Sequence, residues 1–277
     1  MTDWSAWVGR EERRRDRLDP ALAARWLATF DLPPQSEGAM PQGIHFCLCT
    51  PDAATAALGE DGHPRRDESA ASFLPPVPLP RRMWAASEIE FHAPIGIGTA
   101  IERVSRVASV TAKSGRSGEM VFVLVVHETW ADGALAVREV QTLVYREAAA
   151  ADAPLQPAPL GESRFDSRAW PAHRALTPRE PLLFRFSALT FNSHRIHYDL
   201  AYAREVERYR GLVVHGPLMA SLLLQLAGPV RRFAFRAISP AVAGEPLHLV
   251  AREAGKALTL GAFAADGRQV VEAEAAC

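Results

Sequence analysis

Pro217-Leu-Met-Ala-Ser-Leu-Leu-Leu-Gln-Leu-Ala227 reads as a helix that opens with Pro at its first position and is stopped by Gly228-Pro229. It is apolar on nearly every face. At about 1.5 Å per residue it would span roughly 16 Å, too short to cross a membrane, so it is expected to be enclosed by other elements of a soluble protein. A long antiparallel sheet wrapped around such a helix would bury it on every side. The start, Val214-His215-Gly216, would present unpaired backbone N–H groups and the positive end of the helix dipole, which suits an oxygen gaining negative charge. Just upstream, Thr190-Phe-Asn-Ser-His-Arg-Ile-His-Tyr-Asp199 is dense in groups that can orient or move a proton.

Working outward, strands follow the helix: Phe233 to Pro240, Leu247 to Arg252, Ala257 to Ala264 and Val270 to Ala275, with Asp266-Gly267 as a turn. The middle of the chain has the same plan in Ser87 to His92, Ile101 to Val110, Met120 to Trp130 and Ala136 to Arg146, with Asp132-Gly133 as a hairpin turn. Two β-rich units of one plan argue for internal duplication. The Ala- and Pro-rich stretch between them, over 151–181, is expected to be a linker. Toward the N-terminus, residues 1 to 32 are expected to be helical. Asp19-Pro20 forms a cap, and the mixed charges of Arg10 to Arg17 suit a solvated helix face. Gly43 to Leu48 is expected to be a short strand. Gly59 to Pro80 holds Gly59, Gly62 and five prolines, so it is expected to be a long loop that forms a lid over a ligand groove.

The chain has 277 residues, 48% hydrophobic and 23% charged, enough for one large or two medium domains. Its net charge of −1 argues against a general nucleic-acid binder. Cys47, Cys49 and Cys277 form no metal or disulfide framework, which suggests reduced thiols in the cytoplasm. The first residues carry no export signal or membrane anchor pattern.

The run 190–199, together with Ala203 and Gly211-Leu-Val-Val-His-Gly216, resembles the signature of MaoC-like (R)-specific enoyl-thioester hydratases and dehydratases. The resemblance implies an α+β double hotdog: two antiparallel sheets, each wrapped on a central helix and joined into one continuous sheet. Residues 1–150, with Phe73-Leu-Pro-Pro-Val-Pro-Leu-Pro-Arg-Arg-Met-Trp84, resemble the degenerate first hotdog of the branch holding mesaconyl-C4-CoA hydratases and mitochondrial-type 3-hydroxyacyl-thioester dehydratases. Residues 182–277 would then be the catalytic hotdog.

The family's Asp-x-Asn-Pro-x-His-x-Asp run aligns without gaps onto Asn192 to Asp199. His197 falls on the catalytic histidine, and Asn192 replaces the catalytic aspartate. An amide orients a water but does not take its proton at neutral pH, which leaves His197 as the good base of the motif. The resemblance further implies that Asn192 holds the water and that the Gly216 N–H binds the thioester oxygen. Substrate contacts are expected from His194, Arg195 and His215, and from Arg81 and Arg82 toward CoA phosphates. For each a plainer reading stands beside it: a loop residue, an exposed charge, part of a turn, and surface charge for the arginine pair. Asp199 reads better as a helix cap than as an acid.

The reaction implied is hydration of a branched or dicarboxylic enoyl-CoA, such as mesaconyl-C4-CoA, to a 3-hydroxyacyl-CoA. No metal or redox cofactor is expected, CoA entering as part of the substrate. The alternatives are dehydration of 3-hydroxyacyl groups on acyl carrier protein, and a non-catalytic acyl-thioester-binding module. A thioesterase fits less well, because the helix offers only Ser221 and Gln225 to the thioester carbon. A homodimer or higher homo-oligomer is expected, with neither nucleic acid nor membrane as a partner.

Overall fold

Four long runs rich in β-branched residues form the middle strands: β2 (Arg81–Phe91), β3 (Ala100–Gly115), β4 (Gly118–Ala131) and β5 (Ala134–Arg146). The computed structural model describes residues 3–115 and 118–277. Between β4 and β5, Asp132 and Gly133 both take positive φ (47° and 82°), the geometry of a two-residue hairpin turn whose twist matches its strands. The C-terminal strands are β7 (Arg232–Ala237), β8 (Leu247–Ala254), β9 (Ala257–Ala264) and β10 (Gln269–Ala276).

Two further strands, β1 (Glu11–Arg17) and β6 (Ala172–Leu176), complete one 10-stranded sheet of order β1-β3-β4-β5-β2-β7-β10-β9-β8-β6. That order repeats itself about the β2–β7 junction, where Ser87 pairs with Phe235 and Ile89 with Phe233. One irregularity matches as well. Register shifts at Thr129/Trp130 in the β4–β5 ladder, and at Gln269/Val271 in the β9–β10 ladder. The duplication expected from the sequence is therefore built as a single continuous antiparallel sheet.

The apolar helix forms as α4 (Gly216–Ala227), ended by Gly228 at φ 75°. Every residue from Leu218 to Leu224 is buried, and α4 meets β7, β8, β9 and β10. Full burial of each leucine stabilises the fold by about 1.5–3 kcal/mol, an upper estimate because the unfolded chain already hides some surface. Helices α1 (Pro20–Thr29) and α2 (Glu180–Leu189) pack on each other, with Phe30 edge-on to Phe186 at 6.2 Å.

Three local expectations fail. Residues 1–32 are not all helix. Asp19 does cap α1 through a bond from the Leu22 N–H (2.8 Å), but Glu11–Arg17 is an edge strand paired to β3, and the first two residues lie outside the described ones. Its seven charged side chains suit a strand with one open edge, and Arg13 lies 3.6 Å from Glu102 across the ladder. Gly43 to Leu48 is not a strand. Ile44–Cys47 is a single 3₁₀ turn, and Gly43 (φ 104°) lets it approach α4 so closely that a Cβ there would lie 3.0 Å from Ser221 Oγ. In chain order this turn stands between α1 and β2, as α4 stands between α2 and β7. Finally, the stretch 151–181 is more than a connection, because it holds β6, paired to β8, and the first two residues of α2. The loop from Gly59 to Pro80 has no helix or strand, as expected. Among the described residues no helix is long and apolar enough to cross a membrane.

Candidate active site

Helix α2 ends at Leu189, and Phe191 at φ 48° turns the chain back toward the interior. The Asn192 N–H then donates to the Ser187 carbonyl (2.9 Å), and its Oδ1 accepts from the His194 N–H (3.0 Å). That turn commits the amide oxygen, so the Nδ2 group is the part of Asn192 left to donate into the cleft. A single turn over Arg195–His197 follows. Asp199 then caps the short helix α3 (Leu200–Glu205), accepting from the Tyr202 N–H at 3.0 Å, as the sequence reading favoured.

His197 is buried, and its Nδ1 donates to the Val213 carbonyl at 2.7 Å. This contact fixes the tautomer: Nδ1 carries the proton and Nε2 keeps its lone pair. Burial pushes His197 down to about 4, the Val213 contact opposing in part, so at neutral pH it is an uncharged base. Its ring stacks on that of His215, with centroids 3.5 Å apart. His215 precedes α4 at its N-cap, and its Nε2 lies 2.8 Å from Ser187 Oγ. Gly216 opens α4 with no backbone partner for its N–H among the described residues, beside a cleft of about 1880 Å³ that also borders Asn192, His194, His197 and His215.

The structure adds two residues that the sequence reading missed. Asp61 and His63, on the long loop of the first half, are hydrogen-bonded through Oδ2 and Nδ1 at 2.9 Å, and the His63 ring lies 4.1 Å from that of His194. The loop is clamped to the motif: the Arg195 N–H donates to the Asp61 carbonyl (2.9 Å), and Ser193 Oγ to the Gly62 carbonyl (2.6 Å). Only glycine fits at 62, where φ is 86° and a Cβ would stand 2.0 Å from the Ser193 carbonyl oxygen. Burial of Asp61 is outweighed by its contact with His63, and its carboxyl sits at about 2. His194 is pushed down to about 2, chiefly by burial. Four imidazoles, those of His63, His194, His197 and His215, thus form a row anchored at one end by a carboxylate. Asp61, His63 and His194 could each offer one ligand atom, all within 4.8 Å of one another, although Asp61 and His63 already bond to each other. The only hint in the sequence was an Asp-x-His triplet at a glycine inside the loop.

Other expected contacts sort differently. Arg82 borders the cleft. Arg81 borders it too, but its Nε lies 2.5 Å from Glu207 and its guanidinium covers the Tyr209 ring, so it is held within the wall rather than free for a phosphate. Arg195 does not line the cleft. It bonds Asp199 Oδ2 (2.7 Å) and lies over Tyr202, which corrects its place among the substrate contacts. Ser221 Oγ donates to the Pro217 carbonyl, and Gln225 Oε1 accepts from Arg174; neither borders the cleft, which leaves a thioesterase no nucleophile or base on α4.

A model of hydroxyacyl-thioester dehydratase type 2 proteins matches residues 43–243. The chain belongs to that family. Mesaconyl-C(4)-CoA hydratase of Chloroflexus aurantiacus is 40% identical over 98% of this chain and 96% of its own length. The mitochondrial hydroxyacyl-thioester dehydratase type 2 of Schizosaccharomyces pombe is 27% identical over 77% and 78% of the two chains. Among solved structures, a Mycobacterium tuberculosis protein described as having a double hotdog fold superposes with a TM-score of 0.58. It shares 13% identity and covers 97% of this member of the family and 96% of its own chain, which speaks to the fold alone. The fold is the double hotdog.

Proposed function

We propose that this protein is a hydro-lyase that reversibly adds water across the C2–C3 double bond of an enoyl-CoA. The extent of its likeness to a mesaconyl-C(4)-CoA hydratase favours a branched or dicarboxylic acyl group. The observation that carries the reading is a buried, neutral His197 with Nε2 free beside the cleft, next to an amide donor and an open helix N-terminus.

Water held by Asn192 Nδ2 would give one proton to His197 Nε2 as its oxygen bonds to C3. The C2–C3 π electrons shift toward the thioester, and the Gly216 N–H receives the negative charge building on its oxygen. The His197 imidazolium, made a strong acid by its buried site, then returns the proton to C2. Atoms and charge balance without a metal or redox cofactor, and the reverse sequence is dehydration. His63, hydrogen-bonded to Asp61 and beside the His194 ring, closes the far side of the motif, where the family's aspartate has become Asn192.

Loss of the conjugated enoyl absorbance across a panel of enoyl-CoA thioesters tests this directly. Turnover of at least one dicarboxylic or branched member is expected. Absence of turnover on every CoA and acyl-carrier-protein thioester would leave only a binding role.

A further inference from the structure

The two halves of the sheet can be compared rung by rung, because their ladders share register and bulge. In the second half, Leu249 pairs with Ala262, and Ala251-Leu260-Ala273 forms the next rung. The first-half rungs are Arg103-Thr129 and Ser105-His127-Glu139. Thus Arg103 stands where Leu249 stands, His127 where Leu260 stands, and Glu139 where Ala273 stands. One rung further, Gln141 and Ser87 replace Ala275 and Phe233. On the face that α4 covers in the second half, every one of these positions is apolar and in the core. On the matching face of the first half they are polar, and Arg103, His127, Thr129, Glu139 and Gln141 all line the cleft that reaches His197, Thr129 and Glu139 among them being buried.

Polar groups on an inner face destabilise a fold unless they are paired. Part of this set is paired. Ser87 Oγ donates to Glu139 (2.5 Å), Ser105 Oγ lies 2.8 Å from His127 Nδ1, and two Arg103 nitrogens reach the Leu48 and Cys49 carbonyls. Two atoms are left over. Arg103 Nε and His45 Nε2 are buried with no partner among the described residues, and His45 is only 6% exposed. Both residues border the cleft. Burial also raises the Glu139 carboxyl to about 7, so near neutrality much of it carries a proton and offers a donor. The cluster therefore holds a fixed positive charge and surplus donors, the complement of a carboxylate.

We infer that this inner face of the first half receives the free carboxylate of a dicarboxylic acyl thioester, with Arg103 and His45 as its specificity-determining contacts. The inference rests on the hydratase reading for the thioester end and adds the recognition of the other end. The second half uses its equivalent face for packing; the first uses it for binding.

The experiment measures kcat/KM for a dicarboxylic enoyl-CoA and for crotonyl-CoA, and expresses the result as their ratio. Arg103→Leu installs the residue that the other half already carries. It should lower the ratio by about 10- to 100-fold, the usual effect of removing a charged hydrogen-bond partner. His45→Leu, on a short turn, should lower it several-fold and serves if Arg103→Leu does not fold. Calorimetric titration of wild type with free mesaconate, a dicarboxylate, should show binding that Arg103→Leu or His45→Leu weakens. An unchanged ratio in a folded variant overturns the inference while leaving the hydratase reading intact. If wild type hydrates no enoyl-CoA, the hydratase reading fails, and the calorimetric result decides this pocket alone.

Discussion

Between α1 and β2 the first half has two short 3₁₀ turns, Ile44–Cys47 and Thr55–Ala57, where between α2 and β7 the second half has the twelve residues of α4. The strand plan is shared, so the difference lies in what fills the concave face. Where the helix is present, the face is leucine and alanine, and the motif is built at its N-terminus. Where it has shrunk, the volume becomes cleft and the loop Gly59 to Pro80 is free to reach across with Asp61 and His63. On the proposed reading, a duplicated fold divides labour without changing its sheet: one copy keeps the stabilising core and supplies His197 as base, while the other gives up packing to make room for a substrate.

This division is most severely tested by removing the base. His197→Ala should lower turnover by about 10²- to 10⁴-fold with the fold retained, the usual worth of a positioned general base. Near-normal activity would move the base to the first half's contribution, His63, or to His194. The next test lies in the contact between halves. Gly62→Ala places a Cβ against the Ser193 carbonyl, so the loop must withdraw there; kcat should fall about tenfold with the melting temperature little changed, because residues 59–64 belong to none of the hydrophobic clusters. Retained kcat would show that the first half's dyad is not needed.

Asn192 separates orientation from charge. Asn192→Ala should reduce kcat more than it affects KM. Asn192→Asp keeps the volume and adds a carboxylate near His197, which should favour the imidazolium and move the acidic limb of the kcat/KM profile upward. An unmoved profile, with a mild Asn192→Ala, would take Asn192 out of the site.

Acid stability probes both halves together. His45 and His127 in the first half are pushed down to about 3, and His197 in the second to about 4, all chiefly by burial. Between about pH 6.5 and 4 the unfolded chain binds protons that the folded chain refuses, so stability is full above that window and falls as pH falls through it. Glu139 acts oppositely, since its raised carboxyl holds a proton in the folded state over part of the same range, but the histidines outnumber it. The melting temperature should drop roughly 5–10 °C from pH 7 to 5. A flat profile would mean that these rings meet solvent. The smallest effect is expected at Arg195, which is tied to Asp199 away from the cleft: Arg195→Gln should leave kcat/KM within about twofold, and a larger loss would return it to the substrate contacts.

The long strands, α4 and the duplication were legible because their signals are local: β-branched runs, a Pro start, a Gly stop and a turn repeated at matching places. The strand β1 was not, since a run of seven charged residues has no apolar alternation to reveal its period, and its pairing with β3 is settled only by the folded chain. Ile44–Cys47 failed for the opposite reason, a short apolar run being equally compatible with strand or turn. At the site, His197, Asn192 and Gly216 fell within one continuous stretch and could be read together. Asp61 and His63 lie some 130 positions away from their partners (|i−j| of 131 for Ser193 and Gly62), and only tertiary structure brings them in. Arg103, His127 and Glu139 were hidden for another reason: each sits within a strand of ordinary pattern, and nothing local marked its face as lining a cleft.

The charged strand that misled the helical reading has a consequence for how molecules meet one another. An exposed strand edge is a template on which a second sheet can extend, the first step of ordered aggregation. Here one end of the ten-strand sheet is Glu-Glu-Arg-Arg-Arg-Asp-Arg, and the other, β6, is five residues long. Any chain docking on the first end would have to strip water from a row of charges, and any chain docking on the second would find too few backbone groups to hold it. The fold carries its own barrier against polymerisation at both ends.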